Sequence, residues 1–259
     1  MFKIATWNVN SLKVRLPHLI DWVNENNPDV FALQETKTQD ENFPLEAIEA
    51  LGYNVVFTGQ KTFNGVAVLS RHALKDPIMA LPDFDDPQKR LLAVTVGDVR
   101  VIDVYIPNGS EVGSDKYEYK LKWLASLHAF VKQQLTEYER VVILGDYNIA
   151  PEDIDVHDPK AWEGSVLVSA PERKAFDDLL DLGFHDAFRA FTEEQVFSWW
   201  DYRQGGFARN KGLRIDHILF SKAMTEDFQA CYVDDAPRKL ERPSDHTPVV
   251  AEFDINIDR

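Results

Sequence analysis

The sequence predicts an α/β fold of mixed β-sheets covered by helices, and three observations predict it. Nine short segments rich in Val and Ile, most of them bounded by turn residues, recur from one end of the 259 residues to the other. Only a few amphipathic helical stretches fall between them, a mixture that suits mixed sheets with helices laid over them. No internal repeat, low-complexity tract or linker rich in Gly or Ser divides the chain, so residues 1–259 are read as one domain.

Taken in order, "KIATWNV" opens with a strand pattern, and "RLPHLIDWVNEN" follows as a helix. Its Leu16, Leu19, Ile20 and Val23 share a face, and Pro17 suits a first turn, where the missing N–H is not needed. "DVFALQ", "YNVVFT", "GVAVLS", "LLAVTV" and "VRVIDVY" then read as strands. "KYEYKLKWLASLHAFVKQQL" repeats apolar residues at three- and four-residue steps (Tyr117, Leu121, Leu124, Leu127, Phe130, Val131), the mark of an amphipathic helix. "RVVILGD" is a strand, and "PERKAFDDLLDLG" is a helix entered at Pro171 and left at Gly183. "LRIDHILFS" and "TPVVAEF" complete the strands, the last one marked at its start by Pro248, which cannot donate to a ladder.

Composition narrows the function classes. A hydrophobic content of 44% supports a substantial core and excludes disorder. Cys231 is the one cysteine, so no intramolecular disulfide forms. "MFKIATWNVN" lacks the basic and apolar regions of a secretory signal, and no apolar run approaches the ~18 residues of a membrane span. A soluble cytoplasmic protein is expected. The formal charge of −15, from 28 basic and 43 acidic residues, argues against a bulk basic footprint for nucleic acid. A local patch or a bound cation can still reverse the field, and "RQGGFARNKGLR" carries Arg203, Arg209, Lys211 and Arg214 with no acid.

The polar residues of interest lie at the C-terminal ends of strands or in the loops that follow. Asn8 and Asn10 face one way and Trp7 the other; Asp146 and Asn148 share a face from which Tyr147 is turned away. Glu35, Tyr105 and Asn108 end other strands. Asp216 and His217 must point to opposite sides, and Asp216 is expected in the cleft with His217 structural. Asp245 and His246 sit between two prolines on the loop feeding the final strand. Carboxylates and amides are hard oxygen donors, and with one imidazole beside them they suit Mg²⁺ rather than thiolate-bound zinc. Phosphoryl transfer asks for such a set: a cation to offset phosphate charge, a base for water, and donors such as a Tyr hydroxyl and an Asn amide. His246 beside Asp216 would be held in one tautomer with a raised pKa.

"WNVNSL", "LQETK", "GDYNIAPEDIDV", "GLRIDHIL" and "PSDHTPV" resemble, in that order, the motifs of the exonuclease III family of abasic-site endonucleases, part of the endonuclease/exonuclease/phosphatase superfamily. "FPLEAIEALGYNV", "GVAVLSR" and "FSWWDYR" extend the resemblance along nearly the whole chain. It implies a four-layer α/β/β/α sandwich, two mixed sheets face to face with helices outside. It also implies a monomeric enzyme that hydrolyses, with Mg²⁺ or Mn²⁺, the phosphodiester 5′ to an abasic site in double-stranded DNA, with 3′–5′ exonuclease and 3′-phosphatase activity beside it. On this resemblance Glu35 is the main metal ligand, with Asn8, Asp146, Asn148 and Asp245 near the metal. Asp146 activates or protonates, Asn148 and Tyr105 hold the phosphate, and Asp216 with His246 forms the family's Asp–His pair. Arg90, Asn108, Trp199, Arg209 and Lys211 are the expected substrate contacts. Two departures stand out: Asn108 where many bacterial relatives carry Gln, and "WEGSVLVSAPER", which has no clear counterpart.

Two rival readings share the motifs. A phosphatase or phosphodiesterase acting on a small or lipid phosphate would use the same machinery, but the Trp-rich "FSWWDYR" beside a basic stretch suits a base or sugar facing a phosphate backbone. A non-catalytic DNA-binding module would have lost metal ligands, and every motif position is present. Alternation sends Trp199 and Trp200 to opposite faces, so one of them is expected in the core; the resemblance implies that Trp199, which shares its face with Phe197, is the one on an apolar wall of the site.

Overall fold

The computed structural model describes residues 1–257. Every residue of Val30–Gln34 and of Val66–Ser70 is buried, which a strand achieves only when both faces of its sheet are covered. Two six-stranded sheets meet this demand. The first holds β1 (Phe2–Asn8), β2 (Val30–Gln34), β3 (Asn54–Thr58), β4 (Val66–Ser70), β13 (Phe228–Val233) and β14 (Val249–Phe253), in the order β13-β14-β1-β2-β4-β3. The second holds β5 (Lys75–Ile78), β6 (Leu91–Val96), β7 (Val99–Tyr105), β8 (Arg140–Asp146), β9 (Phe184–Asp186) and β12 (Asp216–Ser221), in the order β5-β6-β7-β8-β12-β9. A ribbon of β10 (Trp199–Trp200) and β11 (Gly212–Leu213) lies outside both.

The sheets pack through a shared apolar layer in which Ile4, Ala32 and Val68 of one meet Val101, Val142 and Leu144 of the other. On the outer face of the first sheet, Leu19, Trp22 and Val23 of α1 (Leu12–Asn26) cover Phe31 and Leu33. Short α2 (Leu45–Glu49) adds Ile48 there. On the second, α3 (Asp115–Glu137) and α5 (Ala170–Asp181) set Trp123, Leu127 and Phe176 against Ile102 and Ile143. Each large apolar side chain buried in this way contributes about 1.5–3 kcal/mol. Two short helices, α4 (Pro159–Trp162) and α6 (Ala187–Phe191), complete the element list, and the layers run helix, sheet, sheet, helix.

Two parallel pairs position the chemistry. β1 pairs with β2 across α1, and β7 pairs with β8 across α3; all other ladders are antiparallel. Parallel strands release their C-terminal ends at one edge of a sheet, so the residues that follow β1, β2, β7 and β8 gather at the same end of the sandwich. Among the described residues no helix is long and apolar enough to cross a membrane.

Local differences from expectation have local causes. The first helix begins at Leu12, five residues before Pro17, which is therefore interior. Its start is fixed from outside: the amides of Ser11 and Leu12 donate to the carbonyls of Glu35 and Thr36 at 2.8 and 3.0 Å. "LRIDHILFS" is two elements, with Leu213 in β11 and Asp216–Ser221 in β12. β5, β9 and β13 were not anticipated, because β5 is largely exposed and contains Pro77, β9 has three residues, and β13 mixes buried and exposed positions.

Candidate active site

Glu35 follows β2 in the left-handed region at φ 50°, a conformation that costs a side-chain-bearing residue on the order of 1–3 kcal/mol. The neighbouring loop over-determines it. Thr36 donates its amide to the carbonyl of Gly65 at 3.2 Å, and Gly65 permits this approach because a Cβ there would lie 2.1 Å from Thr36 Oγ1. Asp146 ends β8 directly after Gly145, whose missing side chain is required since a Cβ would stand 1.9 Å from the Val104 carbonyl oxygen. Asn148, two residues on, also has positive φ, at 49°.

The loop before β14 is pinned on two sides. Ser244 Oγ donates to the Asn8 carbonyl at 2.7 Å, and Trp7 Nε1 donates to the His246 carbonyl at 3.1 Å. From the ribbon, the Trp200 amide donates to the Asp245 carbonyl at 3.1 Å, and the Thr247 amide donates to the Ser198 carbonyl at 2.9 Å. His246 is thereby 4% exposed, buried rather than free on a surface loop.

These constraints bring five side chains into one line. His246 Nδ1 lies 2.8 and 3.1 Å from the two Asp216 oxygens, and its Nε2 lies 3.6 Å from Asp146 Oδ2. Asn8 Nδ2 donates to Asp146 Oδ2 at 2.9 Å and to Glu35 Oε1 at 2.8 Å. Asp146 Oδ1 accepts the Asn148 amide at 2.9 Å. Burial pushes the Asp146 carboxyl up to about 7, with the Asp216 charge adding to the rise and His246 opposing it. Burial disfavours a charged His246, but Asp216 first and Asp146 second outweigh it and hold its pKa well above the usual value.

Ligand-capable atoms of Glu35, Asp146 and His246 lie within 4.8 Å of one another, and two carboxylates with an imidazole suit a hard divalent ion. Asp245 is not in this group: its oxygens accept Trp199 Nε1 at 3.0 Å and Asn10 Nδ2 at 3.1 Å. Tyr105 is held as a neutral phenol by burial and by the Glu35 and Asp146 charges. Arg90 stacks on its ring at 4.6 Å. Asn108 Nδ2 approaches Asn148 Oδ1 at 3.3 Å, while Asn148 Nδ2 donates to the Ile106 carbonyl at 2.9 Å. Trp199 is partly buried and bridges to His246; Trp200 is buried, as alternation required. Phe197 is only 3% exposed, so it is a core residue and not part of an open wall.

The basic stretch divides. Arg209 and Lys211 are exposed, whereas Arg203 pairs with Asp201 at 2.7 Å. Arg214 is fully buried and holds Asp155 and Asp186, each at 2.7 Å. Its Nη1 also lies 3.0 Å from His217 Nδ1, and His217 Nε2 reaches the Ile149 carbonyl at 2.8 Å, on the far side of β12 from Asp216. Sequence reasoning passed over this network, and over Ser244 and Ser198. Lys120 was also missed, although its place between Tyr117 and Leu124 on an apolar face marks it as buried.

The chain resembles known proteins along nearly its whole length. Residues 5–246 match the model of the Endonuclease/Exonuclease/phosphatase family. Exodeoxyribonuclease III of Haemophilus influenzae is 38% identical, with 97% of this chain and 99% of the relative covered. The structure of a 3′ phosphatase from Neisseria bound to a product DNA hairpin superposes with a TM-score of 0.97 at 47% identity, covering 98% of this chain and all of that one. An AP endonuclease from Archaeoglobus fulgidus gives 0.95 at 39%, with the same coverage. The chain belongs to the endonuclease/exonuclease/phosphatase family, within its exonuclease III and AP endonuclease group.

Proposed function

We propose that this chain is a DNA repair nuclease that hydrolyses phosphate esters with Mg²⁺, or with Mn²⁺ in its place, as a single-domain monomer. Its substrates are double-stranded DNA at abasic sites, cut on the 5′ side, and 3′ ends that need trimming. The observation that carries the reading is the buried line Asp216–His246–Asp146 joined through Asn8 to Glu35. Glu35 and Asp146, with His246 close by, would hold the cation, which offsets phosphate charge when bound.

The chain's own groups do the rest. Asp146, held in place by Asn8, takes a proton from the attacking water. The water oxygen bonds to phosphorus, the P–O3′ bond breaks, and the leaving oxygen takes a proton from solvent, giving a 3′-hydroxyl and a 5′-phosphate. The His246 imidazolium, oriented by Asp216, and the Tyr105 hydroxyl stabilise the extra charge on the equatorial oxygens, with the Asn148 amide beside them. Asn108 and Arg90 extend contacts along the strand, as do the exposed Arg209 and Lys211. Asp245 acts from one step back by fixing Trp199 and Asn10.

A second reading, in which 3′-end hydrolysis dominates, is favoured by the burial of Phe197, which leaves Trp199 alone to receive an extruded sugar. End-labelled duplexes carrying an abasic analogue, a recessed 3′ end or a 3′-phosphate distinguish the two. Incision at the abasic analogue together with 3′ trimming supports the first reading, and trimming alone supports the second. No reaction on any of the three with Mg²⁺ or Mn²⁺ refutes both.

A further inference from the structure

Two charged side chains with no part in this chemistry are buried behind it. Lys120 of α3 and Glu172 in the first turn of α5 are fully buried, and Nζ lies 2.5 Å from Oε1. An ammonium has three hydrogens, and the remaining two go to backbone carbonyls, that of Asn148 at 2.6 Å and that of Asn108 at 3.1 Å. Glu172 collects donors in turn: Oε1 accepts the Leu167 amide at 3.0 Å, and Oε2 accepts Ser169 through its amide at 3.2 Å and its hydroxyl at 2.6 Å. Three loops thus end on one ion pair: those following β7 and β8, and the 165–169 stretch that has no clear counterpart in the family's motifs.

A pair of apolar side chains would avoid the cost of dehydrating two ions, but it would leave the carbonyls of Asn108 and Asn148 and the amides of Leu167 and Ser169 without these partners. What apolar groups cannot do is hold carbonyls at fixed distances. The backbone here needs holding: Asn148 has φ 49° and Gly109 has φ 93°, with the Gly109 Cα packed so that a Cβ would come within 3.1 Å of Lys120 Cδ. Such conformations persist where their surroundings over-determine them.

We propose that Lys120 and Glu172 are positioning residues that set where Asn148 and Asn108 meet the substrate phosphate. The inference rests on the reading above that these two asparagines face the phosphate. The test compares wild type with the double variant Lys120→Met/Glu172→Leu by melting temperature, by kcat and KM on a 3′-recessed duplex, and by kcat on bis(p-nitrophenyl) phosphate. The double variant should remain folded at the assay temperature and lose at least tenfold in kcat on both substrates. Asn148→Ala should then cost at least tenfold less in the double-variant background than in wild type, because its placement is already lost. A folded double variant with kcat within threefold of wild type overturns the inference, as does an undiminished effect of Asn148→Ala. Should the double variant not fold, Glu172→Gln, which keeps the volume, decides by the same comparisons. A wild-type protein inactive on DNA overturns the functional reading itself; an active wild type with an equally active variant overturns only this inference.

Discussion

Replacing Asp216 by Asn keeps the shape of the Asp–His pair and removes its charge. The carboxylate oxygens lie 2.8 and 3.1 Å from His246 Nδ1 in a site where Asp216 is 1% and His246 4% exposed. With charge centres about 4 Å apart and an effective dielectric constant near 20, the attraction amounts to roughly 4 kcal/mol. Burial already opposes the imidazolium, and Asp216 is the first of the charges that overcome it, so His246 of the variant should be neutral at pH 7. Up to a thousandfold in rate is at stake, and a loss of about 100- to 1000-fold in single-turnover cleavage is expected. Nitrogen-15 spectra of the imidazole at pH 7 should report a doubly protonated ring in wild type and a singly protonated ring in Asp216→Asn. The melting temperature should move by no more than about 4 °C, since the amide oxygen still accepts from Nδ1. A folded variant cleaving within threefold of wild type, with its imidazole still charged, would refute this reasoning.

Three further outcomes follow from the same geometry. Burial first, then the Arg214 charge, lowers the His217 pKa to about 4. Against an unfolded value of about 6.5, only the unfolded chain binds this proton between those limits. Stability should therefore fall as pH drops from 6.5 to 4, by at most about 3 kcal/mol, and His217→Gln should remove that slope in urea unfolding; equal slopes would contradict the assignment. Arg214→Met removes the cation from the buried Asp186 carboxylate and leaves Asp155 with Arg189 alone, and should cost about 3–5 kcal/mol, so a urea midpoint near wild type would disprove the network's importance. Trp199→Ala should reduce cleavage of abasic duplex at least tenfold more than hydrolysis of bis(p-nitrophenyl) phosphate, with a stability loss of about 1–2 kcal/mol for a partly buried ring; parallel losses would mean that Trp199 only packs.

Period-two alternation accounts for much of what was legible. It separated Asp216 from His217, Trp199 from Trp200, and Tyr147 from Asp146 and Asn148, and the structure places them on opposite sides accordingly. Pro248 marked the start of β14, which begins at Val249. What stayed hidden depends on contacts distant in sequence. The first turn of α1 is set by backbone carbonyls of residues 35 and 36, so no local signal placed it. Arg214 looks like part of a solvated basic loop until Asp155 and Asp186, 59 and 28 residues away, are brought to it. The positive φ of Asn10 and Asn148 fits a residue type that tolerates the left-handed region, but that of Glu35 has no sequence signature. Asp245 reads from sequence as a neighbour of the metal, yet its oxygens face an indole and an amide.

The most direct test of the account is the cation dependence of cleavage in wild type and Glu35→Gln. Glu35 shares a site with Asp146 and His246 and is joined to Asp146 through Asn8, so charge removal there weakens cation binding without uncoupling Asp216 from His246. On a 3′-recessed duplex, wild type should cut with Mg²⁺ and stop in excess EDTA. Glu35→Gln should need at least tenfold more Mg²⁺ for half-maximal rate while its melting temperature in EDTA stays close to wild type. Full wild-type cleavage in EDTA, or an unchanged Mg²⁺ requirement in Glu35→Gln, would contradict the account.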